Sequence, residues 1–300
     1  MTEINTVLRS LKYPPLPADP FEDPPGNILK ERVASWDNIP KKVLERIYEE
    51  TYQRCVGPKA LRLEKSYKTW SNETYGELLP NLLSEMFKSS GLGPDSLFLD
   101  LGSGVGNAVL WASLSTGCTS YGIEISSFPA ELACEQLQQL KTRCRMWGFS
   151  MGDVELEKGD MLKSKRVTEL IKKADVVLIN NKVFNQSCES DFLSSNKRPY
   201  TEIFTVNEAI RAFFLDLKEG AYVISLASFC DKSSSARNVN DISAIFHQTA
   251  RPYYRGSVSW GNSGGTWYLQ RVDREHYRER QDKIQARTQS RSSRPRNLQW

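Results

Sequence analysis

"SLFLDLGSGVGNAVLWASL", residues 96–114, holds an apolar run ending near Asp100, a turn through Gly102, Gly104 and Gly106, and a second apolar run. The order is strand, glycine turn, helix. A backbone stripped of side chains there lets a ligand approach a helix N-terminus closely. Dinucleotide folds space these glycines G-x-G-x-x-G, the third allowing helix and strand to pack. Here the spacing is G-x-G-x-G, with Ser103 after the first glycine and Asn107 in the dinucleotide motif's last glycine position. Asp100, directly before the turn, would repel a pyrophosphate. It suits a cofactor carrying an ammonium and a sulfonium, as S-adenosyl-L-methionine does. Both cofactor classes need a carboxylate at the end of the next strand to take the ribose hydroxyls. Glu124 in "YGIEI" fits, about 20 residues after the turn. The third strand ends in Asp160, which either reaches an adenine edge or serves as a turn residue after Gly159.

Outward from this turn the chain keeps an α/β rhythm. "SYGIEI", "VELEKGD", "ADVVLINN" and "AYVISLASF" read as strands. "PAELACEQLQQLKTRCRMWG", "VTELIKK" and "NEAIRAFFLDL" read as the helices between them. Apolar strands alternating with helices predict a mostly parallel sheet covered on both faces. "YYRGSVSWGNSGGTWYLQRV" reads as two strands joined by a Gly/Ser/Asn turn, an antiparallel hairpin at the sheet edge. Upstream, Val43, Leu44, Ile47, Tyr48 and Tyr52 recur at helical spacing, and a second helix runs through Leu78, Leu82, Leu83 and Phe87 to a stop at Gly91. The first 30 residues are Pro-rich and read as an extended arm. Residues 186–202 fall in a long polar stretch after a strand end and read as a loop insertion. The expected organisation is an arm and helical lobe over 1–70, a cofactor-binding domain over 71–273 and a basic, disordered tail over 274–300.

Composition narrows the function classes. Charged residues at 25% and hydrophobic ones at 39% are ordinary for a globular chain. No apolar run is long enough to span a membrane. Cysteines 55, 118, 134, 144, 188 and 230 form no C-x-x-C pair, so they read as free thiols. With only two histidines, 247 and 276, far from any cysteine cluster, no metal site is expected. The net charge of +4 is unevenly placed: residues 271–300 carry nine Lys/Arg against four Asp/Glu. The tail's cations point to a nucleic-acid backbone, or to a merely solubilising role.

Two adjacent asparagines, Asn180 and Asn181, end the fourth strand, where an unpaired amide is costly. They read either as turn and cap residues or as a holder of the cofactor's methionine end or of the incoming nucleophile.

With these segments laid out, the chain resembles the non-SET histone lysine methyltransferases, the disruptor-of-telomeric-silencing family. The motifs are "TYGELLP" at 74–80, "FLDLGSGVGN" at 98–107, "YGIEI" at 121–125, "EKGDM" at 157–161, "INN" with Phe184, "LKEG" at 217–220 and "GSVSW" at 256–260. The resemblance implies an α/β fold, a Rossmann-like class I methyltransferase with a mostly parallel sheet, an antiparallel edge hairpin and a small N-terminal helical lobe. It implies S-adenosyl-L-methionine as cofactor and lysine 79 of histone H3 as acceptor. The partners it implies are the nucleosome, with ubiquitylated histone H2B a further candidate, and DNA backbone through the basic tail. The setting is the nucleus, and the chain is expected to be a monomer.

By this resemblance Tyr75, Gly76 and Glu77 lie on a loop closing over the cofactor. Asp100, Gly102, Ser103, Gly104, Gly106, Asn107, Glu124, Asp160 and Met161 match cofactor-contacting positions. Asn180 or Asn181 matches the catalytic Asn, Phe184 a wall of the lysine channel, and Trp267 and Tyr268 another aromatic wall. Lys182, Trp267 and Ala227 depart from residues common in the family. The implied reaction is in-line displacement of the sulfonium methyl by a neutral lysine amine, helped by positioning. Aromatic faces can stabilise the cations involved.

Overall fold

A computed structural model describes the chain outside residues 1–5, 7–8, 11–12, 14, 23–38, 69–75, 182–203, 231–244, 276, 280–281 and 284–300. Contacts divide the chain into two compact units, Met1–Arg46 and Ile47–Trp300. The first holds a local turn, with Phe21 N–H donating to Asp19 Oδ1 at 2.9 Å, and the start of helix α1 (Lys41–Cys55).

In the second unit, α1 leads into α2 (Ala60–Lys68) and α3 (Pro80–Ser89). Pro80 is the first residue of α3, where its missing N–H costs nothing. Leu78, expected inside this helix, instead makes an isolated antiparallel bridge with Val258.

Five parallel strands follow, β1 (Leu97–Leu101), β2 (Thr119–Glu124), β3 (Val154–Lys158), β4 (Val176–Ile179) and β5 (Tyr222–Ser225). β6 (Phe246–Tyr253) and β7 (Gly265–Val272) close the edge, in the order β3-β2-β1-β4-β5-β7-β6. β7 runs antiparallel to both neighbours. Between strands lie α4 (Asn107–Thr116), α5 (Ser127–Trp147), α6 (Lys165–Leu170) and α7 (Phe204–Phe213). The order reverses between β1 and β4, so the crevice beyond their carboxyl ends is where a ligand docks.

The period-two alternation of β1 explains its position. Leu99 and Leu101 join one core with Tyr121, Ile123, Val177, Ile179 and Val223. Phe98 turns to the opposite face, edge-on to Phe87 at 5.1 Å, and Asp100 shares that parity. α4 is buried throughout Asn107–Leu114, as its lack of a polar face requires. Trp111 is fully buried, its indole N–H donating to Ser84 Oγ at 3.0 Å, and this side chain fixes α4 against α3.

The edge hairpin differs from the sequence reading in its first strand. That strand is "FHQTARPY", not "YYRGSVSW". Pro252 within it is tolerated because β6 is an edge strand. The "GSVSW" segment pairs with residues 77–79 instead. Leu79 N–H donates to Ser257 O and Ser259 N–H to Glu77 O, both at 3.0 Å.

Candidate cofactor and substrate site

The glycine turn after β1 sits at that crevice. Gly102, Gly104 and Gly106 have φ of +93°, +54° and +85°, a region in which side chains are strained. Gly102 and Ser103 N–H both donate to Ile123 O, at 3.0 and 2.9 Å, pinning the turn to β2. Gly104 N–H donates to Glu124 Oε2 at 2.9 Å, and Ser126 N–H to Glu124 Oε1 at 2.8 Å. The carboxylate is thereby aimed at the turn, and each oxygen has capacity for a further donor.

Gln136, fully buried on α5, backs this turn. Its Nε2 donates to Val105 O at 2.7 Å and to Asn107 Oδ1 at 3.3 Å. Asn107's acceptor end is thereby engaged from behind, leaving its NH₂ as the donor end. Sequence reasoning missed Gln136. The available signal was a polar residue on the apolar stripe Leu132, Ala133, Leu137, Leu140.

Asp100 is 4% exposed, and among the described residues no cation pairs with it. Burial, and then the negative charge of Glu124, push its carboxyl up to about 8. A buried acid beside a second carboxylate is costly when ionised unless a cation arrives. This set of acceptors fits a ligand with an ammonium, a sulfonium and a ribose diol, and opposes a pyrophosphate. Glu124 and Ser103 also border a cleft of about 280 Å³ whose far wall is Ala133, Cys134 and Leu156.

At the end of β3, Asp160 is held below the ordinary carboxylate range, first by the Leu162 N–H at 2.9 Å and further by Lys163. Its side chain thus orders a turn as well as standing at a strand end. Met161 lies against the other side of the glycine turn, its Cε 3.9 Å from where a Cβ on Gly102 would stand.

The loop 76–79 approaches from above β4. Glu77 N–H donates to Ser259 Oγ at 2.8 Å, and Tyr52 Oη donates to Glu77 Oε1 at 3.0 Å. A Cβ on Gly76 would collide with the Trp260 indole, so that ring covers the loop backbone. Ser259, Trp260 and Tyr52 were missed in sequence. "GSVSW" had been singled out, but its spacing alone says nothing of its partner.

The two asparagines separate. Asn181 is 1% exposed and its amide is engaged at both ends: Nδ2 donates to Ala227 O at 3.1 Å, while Oδ1 accepts from Leu226 N at 3.1 Å and Ala227 N at 2.7 Å. It ties the end of β4 to the segment after β5. Asn180 Nδ2 makes a long 3.4 Å bond to Gly76 O, and its Oδ1 is buried with no partner among the described residues. An orphaned acceptor beside the cofactor loop fits an amine or ammonium donor from a ligand.

On β7, Trp267 is fully buried, its Nε1 also without a partner among the described residues. The Arg251 guanidinium stands 5.7 Å from its ring centroid. Tyr268 is half-buried, opposite Ser225 and Ala250 in register. Tyr75, Phe184, residues 186–202 and the tail beyond Lys283 lie outside the described residues.

A sheet of this order, with carboxylates at successive strand ends around a glycine turn, is the Rossmann-like class I methyltransferase fold expected from the sequence. The chain belongs to the family described as histone methylation protein DOT1, whose model matches residues 52–198 and 199–272. It is 35% identical over 259 residues to a protein of Emericella nidulans, with 82% of this chain and 48% of that one covered. It is 37% identical over 250 residues to one of Mycosarcoma maydis, covering 82% of this chain and 29% of that one. Both relatives are named histone-lysine N-methyltransferase, H3 lysine-79 specific. The chain spans less than half the length of either relative.

Proposed function

We propose that this chain transfers methyl groups from S-adenosyl-L-methionine to lysine 79 of histone H3 in nucleosomes, acting on chromatin in the nucleus. The observation that carries the reading is buried Asp100, with no cation partner among the described residues, beside Glu124 at the glycine turn of a chain in this family. The cofactor supplies an electrophilic methyl group. Glu124 holds the ribose hydroxyls, Asp100 faces the cationic methionine portion, and Asp160 and Met161 flank the adenine. Glu77 and Gly76 cover the site. Asn180 Oδ1 accepts a hydrogen bond from the amine that is to react, orienting its lone pair. A free lysine has a pKa near 10.4, so presenting it neutral at pH 7 costs about 4–5 kcal/mol unless its surroundings lower that value. By the resemblance Trp267, Tyr268 and Phe184 match the walls of the lysine channel, and Trp260, beside Gly76, is a further aromatic ring that can exclude water from it. The basic tail tracks nucleosomal DNA by its phosphates.

Calorimetric titration tests the cofactor assignment. Glu124→Ala removes a charged acceptor and should cost about 2–4 kcal/mol of affinity. Wild-type affinity in that variant, or tight NADH binding by the wild type, would overturn it. Labelled cofactor offered with nucleosomes, free histone H3 and RNA identifies the acceptor: label on nucleosomal H3 supports the proposal, and label on RNA alone overturns it.

A further inference from the structure

The cofactor loop and the glycine turn belong to separate parts of the chain, and one side chain bonds the first and packs on a cluster that includes a residue of the second. The ring of Tyr52, on α1, rests on the cluster Cys55, Val56, Leu63, Val105 and Leu132. Val105 is part of the glycine turn, so the ring rests against the cluster that backs this turn. The hydroxyl extends the other way and donates to Glu77 Oε1 at 3.0 Å. Glu77's backbone is already pinned on its far side by Ser259, through both its N–H and its C=O. The residue is thus held by its main chain from one direction and by its carboxylate from the other. One helical turn before Tyr52, buried Tyr48 has its phenol raised well above its ordinary value, first by burial and then by the charge of Glu77. The negative charge of Glu77 therefore stands against this face of α1.

We propose that Tyr52 is a positioning residue for cofactor binding, holding the Glu77 carboxylate in place through its phenol hydroxyl. This rests on the reading that Glu77 faces the cofactor. The chemistry of the donor is the argument. A Lys or Arg at this place would neutralise Glu77 and remove its attraction for a cationic ligand. A phenol has a pKa near 10 and donates without charge. It fixes the side-chain rotamer without itself cancelling the carboxylate's charge. Fixing a rotamer before binding lowers the ordering cost that the ligand would otherwise meet.

Tyr52→Phe keeps the ring and its packing and removes the hydroxyl alone. The expected result is a rise of about 5–20-fold in both the calorimetric Kd for S-adenosyl-L-methionine and its KM. kcat should stay within about twofold and the melting temperature should be essentially unchanged, because the lost interaction serves ground state and transition state alike. The same substitution placed on Glu77→Ala should add nothing, since its effect runs through that carboxylate. An unchanged Kd in Tyr52→Phe, with Glu77→Ala clearly weakened, overturns the positioning role alone. An equal loss from Tyr52→Phe in both backgrounds also overturns it. Wild-type affinity in Glu77→Ala overturns the reading of Glu77 beneath it, and the proposal with it.

Discussion

Binding of S-adenosyl-L-methionine should expel a proton from Asp100. In the free protein this carboxyl sits at about 8, raised by burial and by Glu124. At pH 7 it is therefore about nine-tenths protonated. A cationic ligand favours the carboxylate, so the group's pKa falls on binding and the proton leaves. Affinity must then weaken as pH falls below 8, by up to tenfold per unit, or about 1.4 kcal/mol. Between pH 8 and pH 6 the expected loss is about 20–50-fold if the bound carboxyl titrates below 6. Above pH 8 the gain fades, because Asp100 is already half ionised there and the ligand's own α-amino group, with an ordinary pKa of about 7.7–8.0, is losing its charge over the same range. Titration calorimetry at pH 7 in two buffers of different ionisation enthalpy reads the proton directly, and close to one per ligand is expected. Asp100→Asn should abolish the release, flatten the pH profile and weaken binding at pH 8. The stability sign runs the other way. A folded pKa above the unfolded one means that the native state binds the extra proton between pH 4 and 8, so this group lowers stability as pH rises through that window. Asp100→Asn should accordingly raise the melting temperature of the cofactor-free protein at pH 8 and change it much less at pH 4. Proton-free binding with pH-independent affinity from 6 to 8, in folded protein, would refute the reasoning.

Asn180→Ala should lower kcat about 100-fold or more with the melting temperature preserved, whereas Asn181→Ala strands the backbone N–H groups of Leu226 and Ala227 and should cost about 2–4 kcal/mol of stability in a denaturant titration; the reverse pattern would reassign the pair. Gly76→Ala drives a methyl into the Trp260 indole, so cofactor affinity should fall at least about tenfold, and unchanged binding would mean that this loop does not cover the site. Lys283, Arg287, Arg291, Arg294 and Arg296 each add about 0.9 to the salt slope of nucleosome affinity if they meet phosphates. Removing residues 281–300 should therefore flatten that slope by about 4.5 without altering cofactor affinity, and equal slopes would remove the tail from DNA binding.

The parts of this molecule that were legible in its sequence are those decided by local chemistry. The glycine turn declares itself because only glycine tolerates three positive φ values in five residues. Asp100, Glu124 and Asp160 stand out because polar residues ending apolar runs mark strand ends. What stayed hidden depends on pairing between distant segments. "GSVSW" alternates as a strand would, yet its hydrogen bonds go to residues 77–79, while the true edge strand carries a proline and a weak pattern. Leu78 keeps helical spacing with Leu82, but Pro80 starts the helix and the Val258 bridge claims Leu78. Asn180 and Asn181 are identical in composition and adjacent in sequence. Only the course of the chain after β5 determines which amide is consumed. Tyr52 reads as one more apolar position of an amphipathic helix, and its hydroxyl acquires a role only when Glu77 comes within reach.

The central claim is tested most directly by transfer of labelled methyl groups to reconstituted nucleosomes, with mass spectrometry locating the label. Label is expected on lysine 79 of histone H3, none when that lysine is replaced by arginine, and loss of at least about 99% of the rate in Asn180→Ala. Equal labelling of the arginine-substituted nucleosome, or full activity in Asn180→Ala, would contradict that claim.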